Sequence, residues 1–167
     1  MVASMEPADS NKCFASGELT VPTEWTDYNG HMNVGYYVVA FDKATDVVLD
    51  HLGIGESYRQ AEEASVFVLE AHVTYDREVH PGDRLRFTTQ FLDHDSKRVH
   101  LFHRMYHAGA GYLAATNELM IMHMDLTTRR PAPFPATALS RIAELHDLHR
   151  TLPRPDAAGH AIGIRRR

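Results

Sequence analysis

Between Glu24 and Tyr37 the chain reads "EWTDYNGHMNVGYY", which puts an acid, an amide and an imidazole, Asp27, Asn29 and His31, within five residues. A carboxylate in such a setting can act as a nucleophile or as a general base for water. His31 and Asn29 can hold that water or orient the acid. A strongly patterned apolar segment follows. If it is a helix, its first backbone N–H groups, near Val34 and Gly35, bring positive potential toward an oxyanion. The plainer alternative is turn and capping chemistry, for which Asp, Asn and Gly ahead of a helix are ordinary choices.

The elements that must position these groups can be read from periodicity. Apolar residues recur at Val34, Tyr37, Val38, Phe41, Val48, Leu49 and Leu52, with Ala44 and Thr45 filling the gap. Asp42, Lys43, Asp46 and Asp50 form the wet face. The spacing predicts a helix of about 18 residues with Asn33 as its N-cap and Gly53 as its stop. "GELTVP" is a short first strand ended by Pro22. After the helix come "ASVFVLEAHVTYDREV" (64–79), "RLRFTTQFL", "RVHLFHRMYH" and "GYLAATNELMIMHMDL", separated by the turn segments "HPGD", "DHDSK" and "AGAG". This order predicts an α+β fold, a five-stranded curved antiparallel sheet wrapped around a long central helix. Residues 1–16 read as an N-terminal tail and 17–128 as the domain. Residues 129–167 read as a C-terminal extension with a short helix from about Ala136.

Alternation in the strand after the helix puts Val66, Val68, Glu70, His72 and Thr74 on one face, and Phe67, Leu69, Ala71, Val73 and Tyr75 on the other, toward the helix. Glu70 is then a mid-strand carboxylate beside valines, which costs energy unless it is paired or used. Glu118, in "TNELM", poses the same choice, with a structural role favoured.

Bulk properties narrow the function classes. The 167 residues are 44% hydrophobic and 23% charged, the profile of one globular domain. A formal charge of −5 gives no reason to expect a nucleic-acid partner. The single cysteine, Cys13, fits a reducing compartment. No signal-peptide pattern and no membrane-length apolar run is present, so a cytoplasmic protein without a membrane partner is expected. Twelve histidines raise the question of a metal. Yet His103 and His107 fall on a strand, more than about 10 Å apart at its rise per residue, and HExxH and cysteine pairs are missing. No metal is expected.

A strand, a polar loop carrying D-x-N-x-H, a long helix and four antiparallel strands resemble the hotdog-fold acyl-thioester hydrolases over nearly the whole chain. "DYNGHMN" is similar to the loop motif of plant acyl-carrier-protein thioesterases. "WTDYNGHMN", "DSKRVHLFHRMYH", "AATNELMIMHMD" and the tail "LPRPDAAGHAIGI" resemble betainyl-CoA thioesterases associated with, or fused to, carnitine dehydrogenases. This second likeness is the more specific, because it runs on into the strands and tail.

The resemblance implies an acyl-CoA thioesterase with Asp27, Asn29, His31 and Glu70 in the catalytic set. It implies no cofactor, coenzyme A being part of substrate and product, and a functional link to carnitine dehydrogenase. It also implies a homodimer or higher homo-oligomer with sites at the subunit interface, in line with an exposed sheet edge and an uncovered sheet face. Trp25, Tyr28 and Tyr36 are candidates to meet the acyl group, as an aromatic cage if that group carries a trimethylammonium. For Tyr37, on the apolar stripe, core packing is preferred. Lys97 and Arg98, then Arg129 and Arg130, are candidates for the phosphates of coenzyme A. A hotdog hydratase is disfavoured by the loop, where Asp27 and His31 are four apart and Gly30 stands between them. A thioesterase for another acyl- or aroyl-CoA, and a non-catalytic acyl-binding protein of this fold, remain the alternatives.

Overall fold

The computed structural model describes residues 12–164. Residues 1–11 of the expected tail, and Arg165, Arg166 and Arg167, lie outside the described residues. The chain runs β1 (Phe14–Thr20), α1 (Val34–Leu52), α2 (Glu56–Ala61), β2 (Ala64–Tyr75), β3 (Arg84–His94), β4 (Arg98–His107), β5 (Leu113–Asp125), β6 (Arg130–Pro131) and α3 (Ala136–His149). Five main strands form one antiparallel sheet in the order β1-β3-β4-β5-β2, and the two-residue β6 pairs the end of β5. The sheet curves around α1, and this is the hotdog fold.

α1 forms where the periodicity places it. The Asn33 side chain accepts the Gly35 N–H at 2.9 Å, and Gly53 adopts the left-handed conformation (φ 76°) that ends the helix. Its buried face is Tyr37, Ala40, Phe41, Ala44, Thr45, Val48 and Leu52. Ala40 and Ala44 let the sheet approach closely. Phe41, Val48 and Leu52 are at most 1% exposed, and burial of such side chains is worth about 1.5–3 kcal/mol each. One half of the core gathers Tyr37 and Phe41 with Leu85, Phe87 and Met105. The other gathers Val48 and Leu52 with Phe91, Leu101 and Ile121, and with Phe134, Ala138 and Ile142 from around α3. α3 thus closes the open end of the half-barrel.

Several expectations shift. β1 starts at Phe14, inside the segment read as tail, because Phe14 pairs with Thr89 and packs against His51 at 4.8 Å between ring centroids. α2 was not foreseen: no residue of "ESYRQA" is buried, so no apolar period marks it. A bulge between Val68 and Glu70 reverses the alternation within β2. Ala71, Val73 and Tyr75 sit opposite Leu119, Asn117 and Ala115 on the helix side, as predicted. Before the bulge, however, Val66 and Val68 sit opposite His123 and Ile121, so these valines, and not Phe67 and Leu69, take the helix side.

The outer sheet face is also not bare. The segment after α3 crosses it, with Gln90 Nε2 donating to the Pro153 carbonyl at 3.1 Å and the Gly159 N–H donating to Glu118 at 2.8 Å. Gln90, Phe102 and Thr116 are buried beneath it. What stays open is the edge strand β2, where Phe67, Val68 and Leu69 are exposed. Among the described residues no helix is long and apolar enough to cross a membrane.

One polar cluster lies inside the core. His103 is fully buried, with Nε2 3.0 Å from Thr45 Oγ1 and Nδ1 2.7 Å from Thr89 Oγ1. The Thr45 hydroxyl donates to the Phe41 carbonyl and the Thr89 hydroxyl donates to Ser16 Oγ at 2.8 Å, so the ring sits in a buried chain of hydrogen bonds. Burial pushes the His103 pKa down to about 3.

Candidate active site

The loop before α1 is a small closed unit. The Asp27 N–H donates to the His31 carbonyl (3.0 Å), the Gly30 N–H to the Asp27 carbonyl (3.1 Å), and the Asn33 N–H to the Trp25 carbonyl (2.8 Å). Gly30 turns the tip at φ 84°, a conformation a side chain disfavours. Met32 is buried and its N–H donates to the Val79 carbonyl, which ties the loop to the core. Held this way, Asp27 keeps only 17% of its side chain exposed, and its Oδ1 accepts the Asn29 N–H at 2.8 Å.

Asp27 opens onto a cleft of about 290 Å³ at the N-terminal mouth of α1. His31, Val34 and Tyr37 line one side, and Tyr75, Asp76, Arg77 and Glu78, from the end of β2, line the other. His31 stands between two acids, with Nδ1 4.0 Å from Asp27 Oδ1 and Nε2 3.5 Å from Glu78 Oε2. Both separations are too long for strong hydrogen bonds and suit an ion pair or a bridging water. The Tyr37 and Tyr75 rings meet edge to face at 5.1 Å and 85°. The Tyr75 hydroxyl donates to the Val34 carbonyl at 3.3 Å. Burial holds the Asp76 carboxyl above the usual carboxylate range, opposed by a hydrogen bond with Thr74. The Arg77 guanidinium lies over the Tyr112 ring at 4.1 Å.

The candidates divide. Asp27, His31 and Val34 share the cleft. Asn29 contributes its N–H, while its side chain is exposed and lies off the cleft. The Gly35 N–H is engaged by the Asn33 side chain, so the helix cap uses the group expected to face an oxyanion. Trp25 and Tyr36 stack on each other at 5.0 Å and pack against the core, and Tyr28 is 98% exposed; none of the three lines the cleft. Tyr37, read as core packing, is buried and lines the cleft as well.

Glu70 lies on the outer sheet face, in a separate hollow with His72, His100 and Glu118. It is five residues from Tyr75, roughly 16 Å of strand at about 3.3 Å per residue. Within one chain it does not meet Asp27. Glu118 is structural, bound to His100 Nε2 at 2.7 Å and to the Gly159 N–H.

The four cations gather at the far end of the sheet. Arg98 is paired with Asp95 at 2.6 Å, Arg130 faces Asp125, Arg129 has φ 58°, and Lys97 is exposed at the same turn. A larger hollow of about 330 Å³ lies beneath the C-terminal segment beside Phe102 and Arg104, but it brings no carboxylate against an imidazole. Sequence reasoning missed Asp76, Glu78 and Tyr75. Their one signal is "TYDRE", where charges break the apolar alternation at the end of β2.

A half-barrel sheet around one helix, with an aspartate, a histidine and tyrosines at the helix mouth, defines a hotdog-fold enzyme. Comparison with known proteins names the class: residues 21–142 match the model of the thioesterase-like superfamily, and the chain belongs to that superfamily. It is 40% identical over 147 residues to a betainyl-CoA thioesterase of Pseudomonas aeruginosa, covering 88% of this chain and 92% of that one. It is 39% identical to an L-carnitine dehydrogenase/betainyl-CoA thioesterase of Ruegeria pomeroyi, matching 95% of this chain but spanning only 32% of that longer protein. Its backbone superposes with a TM-score of 0.85 and 32% identity on a Staphylococcus aureus protein solved in complex with CoA, covering 92% of this chain and 97% of that one.

Proposed function

We propose that the protein hydrolyses a short acyl-CoA thioester, preferably betainyl-CoA to betaine and coenzyme A, within carnitine catabolism. One observation carries the catalytic part: Asp27 is largely buried at the mouth of α1, with Oδ1 tied to the Asn29 N–H. Oδ2 then serves the reaction. As general base it takes a proton from water while the water oxygen bonds to the carbonyl carbon. As nucleophile it bonds to that carbon itself, and water then opens the mixed anhydride. In the base route the carbon–sulfur bond breaks as the tetrahedral intermediate collapses, and Asp27 passes the proton taken from water to the departing thiolate of coenzyme A. In the nucleophile route the thiolate leaves as the anhydride forms and takes its proton from the water that then opens the anhydride. The Val34 N–H, with the helix terminus behind it, faces the oxyanion, and His31 orients water. No cofactor or metal enters this scheme.

The acyl preference is supported by the likeness to the Pseudomonas aeruginosa enzyme, and the carnitine link by the Ruegeria pomeroyi fusion. The open β2 edge supports a homodimer in which two β2 strands pair antiparallel. Such pairing sets the Tyr75 end of one copy beside the Ala64 end of the other. The second copy's Lys97, Arg98, Arg129 and Arg130 then lie toward the cleft, where the phosphates of coenzyme A extend. A thiol-release screen across short, aryl and betainyl CoA esters tests the reading. The highest kcat/KM on betainyl-CoA is expected, and no release from any ester contradicts it.

A further inference from the structure

We propose that Tyr37, Tyr75 and Asp76 form the wall of the cleft that selects a quaternary ammonium group next to the reacting carbonyl. This rests on the thioesterase reading above. In a betainyl thioester a single methylene separates the nitrogen from the carbonyl carbon. Whatever recognises the cation must therefore share the cleft with Asp27. Trp25, Tyr28 and Tyr36 do not line that cleft, whereas Tyr37, Tyr75 and Asp76 do.

The local chemistry suits such a group. A trimethylammonium has no N–H to donate, so it is held by ring faces and by a carboxylate at van der Waals contact. The two tyrosine rings stand at 85° and make a corner. Both are fixed in advance, Tyr75 by its hydroxyl on the Val34 carbonyl and Tyr37 by burial and a bond to the Val79 backbone. Pre-set rings lose little freedom when a ligand arrives.

Charge points the same way. The lining holds three carboxylates, Asp27, Asp76 and Glu78, against one arginine and one histidine. Arg77 is laid over Tyr112, and His31 lies between Asp27 and Glu78. Asp76 has neither of these partners, and its desolvated charge is what a bound cation offsets. Asp76 and Tyr75 act here as specificity residues, with Asp27 doing the chemistry.

The experiment compares betainyl-CoA with 3,3-dimethylbutyryl-CoA, in which carbon replaces nitrogen at the same shape. The readout is the ratio of kcat/KM for the two esters, so that any general loss of activity cancels. Asp76→Asn is expected to lower that ratio about tenfold, the size of a partly desolvated cation contact. Tyr75→Leu should lower it similarly, and Tyr75→Phe, which keeps the ring but loses its hydroxyl tether, should lower it less. An unchanged ratio in Asp76→Asn and Tyr75→Leu overturns the proposal. Calorimetric Kd values in the Asp27→Asn background separate recognition from turnover. Tighter binding of the betainyl ester, lost on adding Asp76→Asn, supports the wall even if the wild-type protein hydrolyses neither ester, a result that would sink the thioesterase reading alone. Equal Kd values for the two esters overturn the wall.

Discussion

Asn29 meets Asp27 through its backbone: its N–H lies 2.8 Å from Asp27 Oδ1, while the residue itself is exposed and does not line the cleft. The resemblance put Asn29 in the catalytic set, and the contact it makes with Asp27 is through its main chain. Asn29→Ala keeps the N–H and should change kcat/KM by no more than about threefold, since no hydrogen bond to reacting atoms is lost. A hundredfold loss with the loop intact would show that the side chain reaches the substrate.

Gly30 holds the same loop closed. Its φ of 84° is unfavourable for any residue with a side chain, although a Cβ there meets nothing within 4 Å. Gly30→Ala should therefore cost only backbone strain, about 1–2 kcal/mol, or a few degrees in Tm for a chain of this size. Calorimetry checks this. A larger drop would mean that the loop tip is packed in a way the geometry does not show.

How much of this was legible in the sequence depends on how each feature is encoded. α1 was legible because its stripe, its Asn33 cap and its Gly53 stop all agree, and the agreement fixed both ends. Asp27 and His31 were legible as a motif. The bulge in β2 was not, because Leu69 is as apolar as its neighbours and nothing local marks the residue that breaks phase. Alternation did place Glu70 on the face away from α1, and that same fact separates it from Asp27. The covering of the outer face was illegible for another reason. "PRPDAAGHAIG" has no period, and it is held through a backbone carbonyl at Pro153 and a backbone N–H at Gly159.

His103 predicts an acid sensitivity whose sign is fixed. Its pKa falls from 6.5 to about 3 on folding, so the unfolded chain binds the extra proton. Its contribution is fully present above pH 6.5 and is lost as pH falls toward 3. Between pH 6.5 and 5 this amounts to about 2 kcal/mol, at 1.36 kcal/mol per unit. Urea unfolding of wild type and His103→Gln across that range should show the steeper decline in wild type. Parallel slopes would mean that His103 is not held neutral.

α3 belongs to the core in energetic terms, since Ile142 is fully buried beside Val48 and Leu52. Ile142→Ala should cost about 2–5 kcal/mol, as buried large-to-small changes do. Equilibrium denaturation measures it, and a change below about 1 kcal/mol would show that α3 is only loosely attached.

The central claim is that the Asp27 carboxylate, set at the mouth of α1, drives breakage of the thioester bond. It is tested most directly by thiol release from the best substrate with wild type and Asp27→Asn, with circular dichroism confirming the fold. The account predicts a loss in kcat of at least about a hundredfold. Near wild-type turnover by a folded Asp27→Asn protein would contradict it.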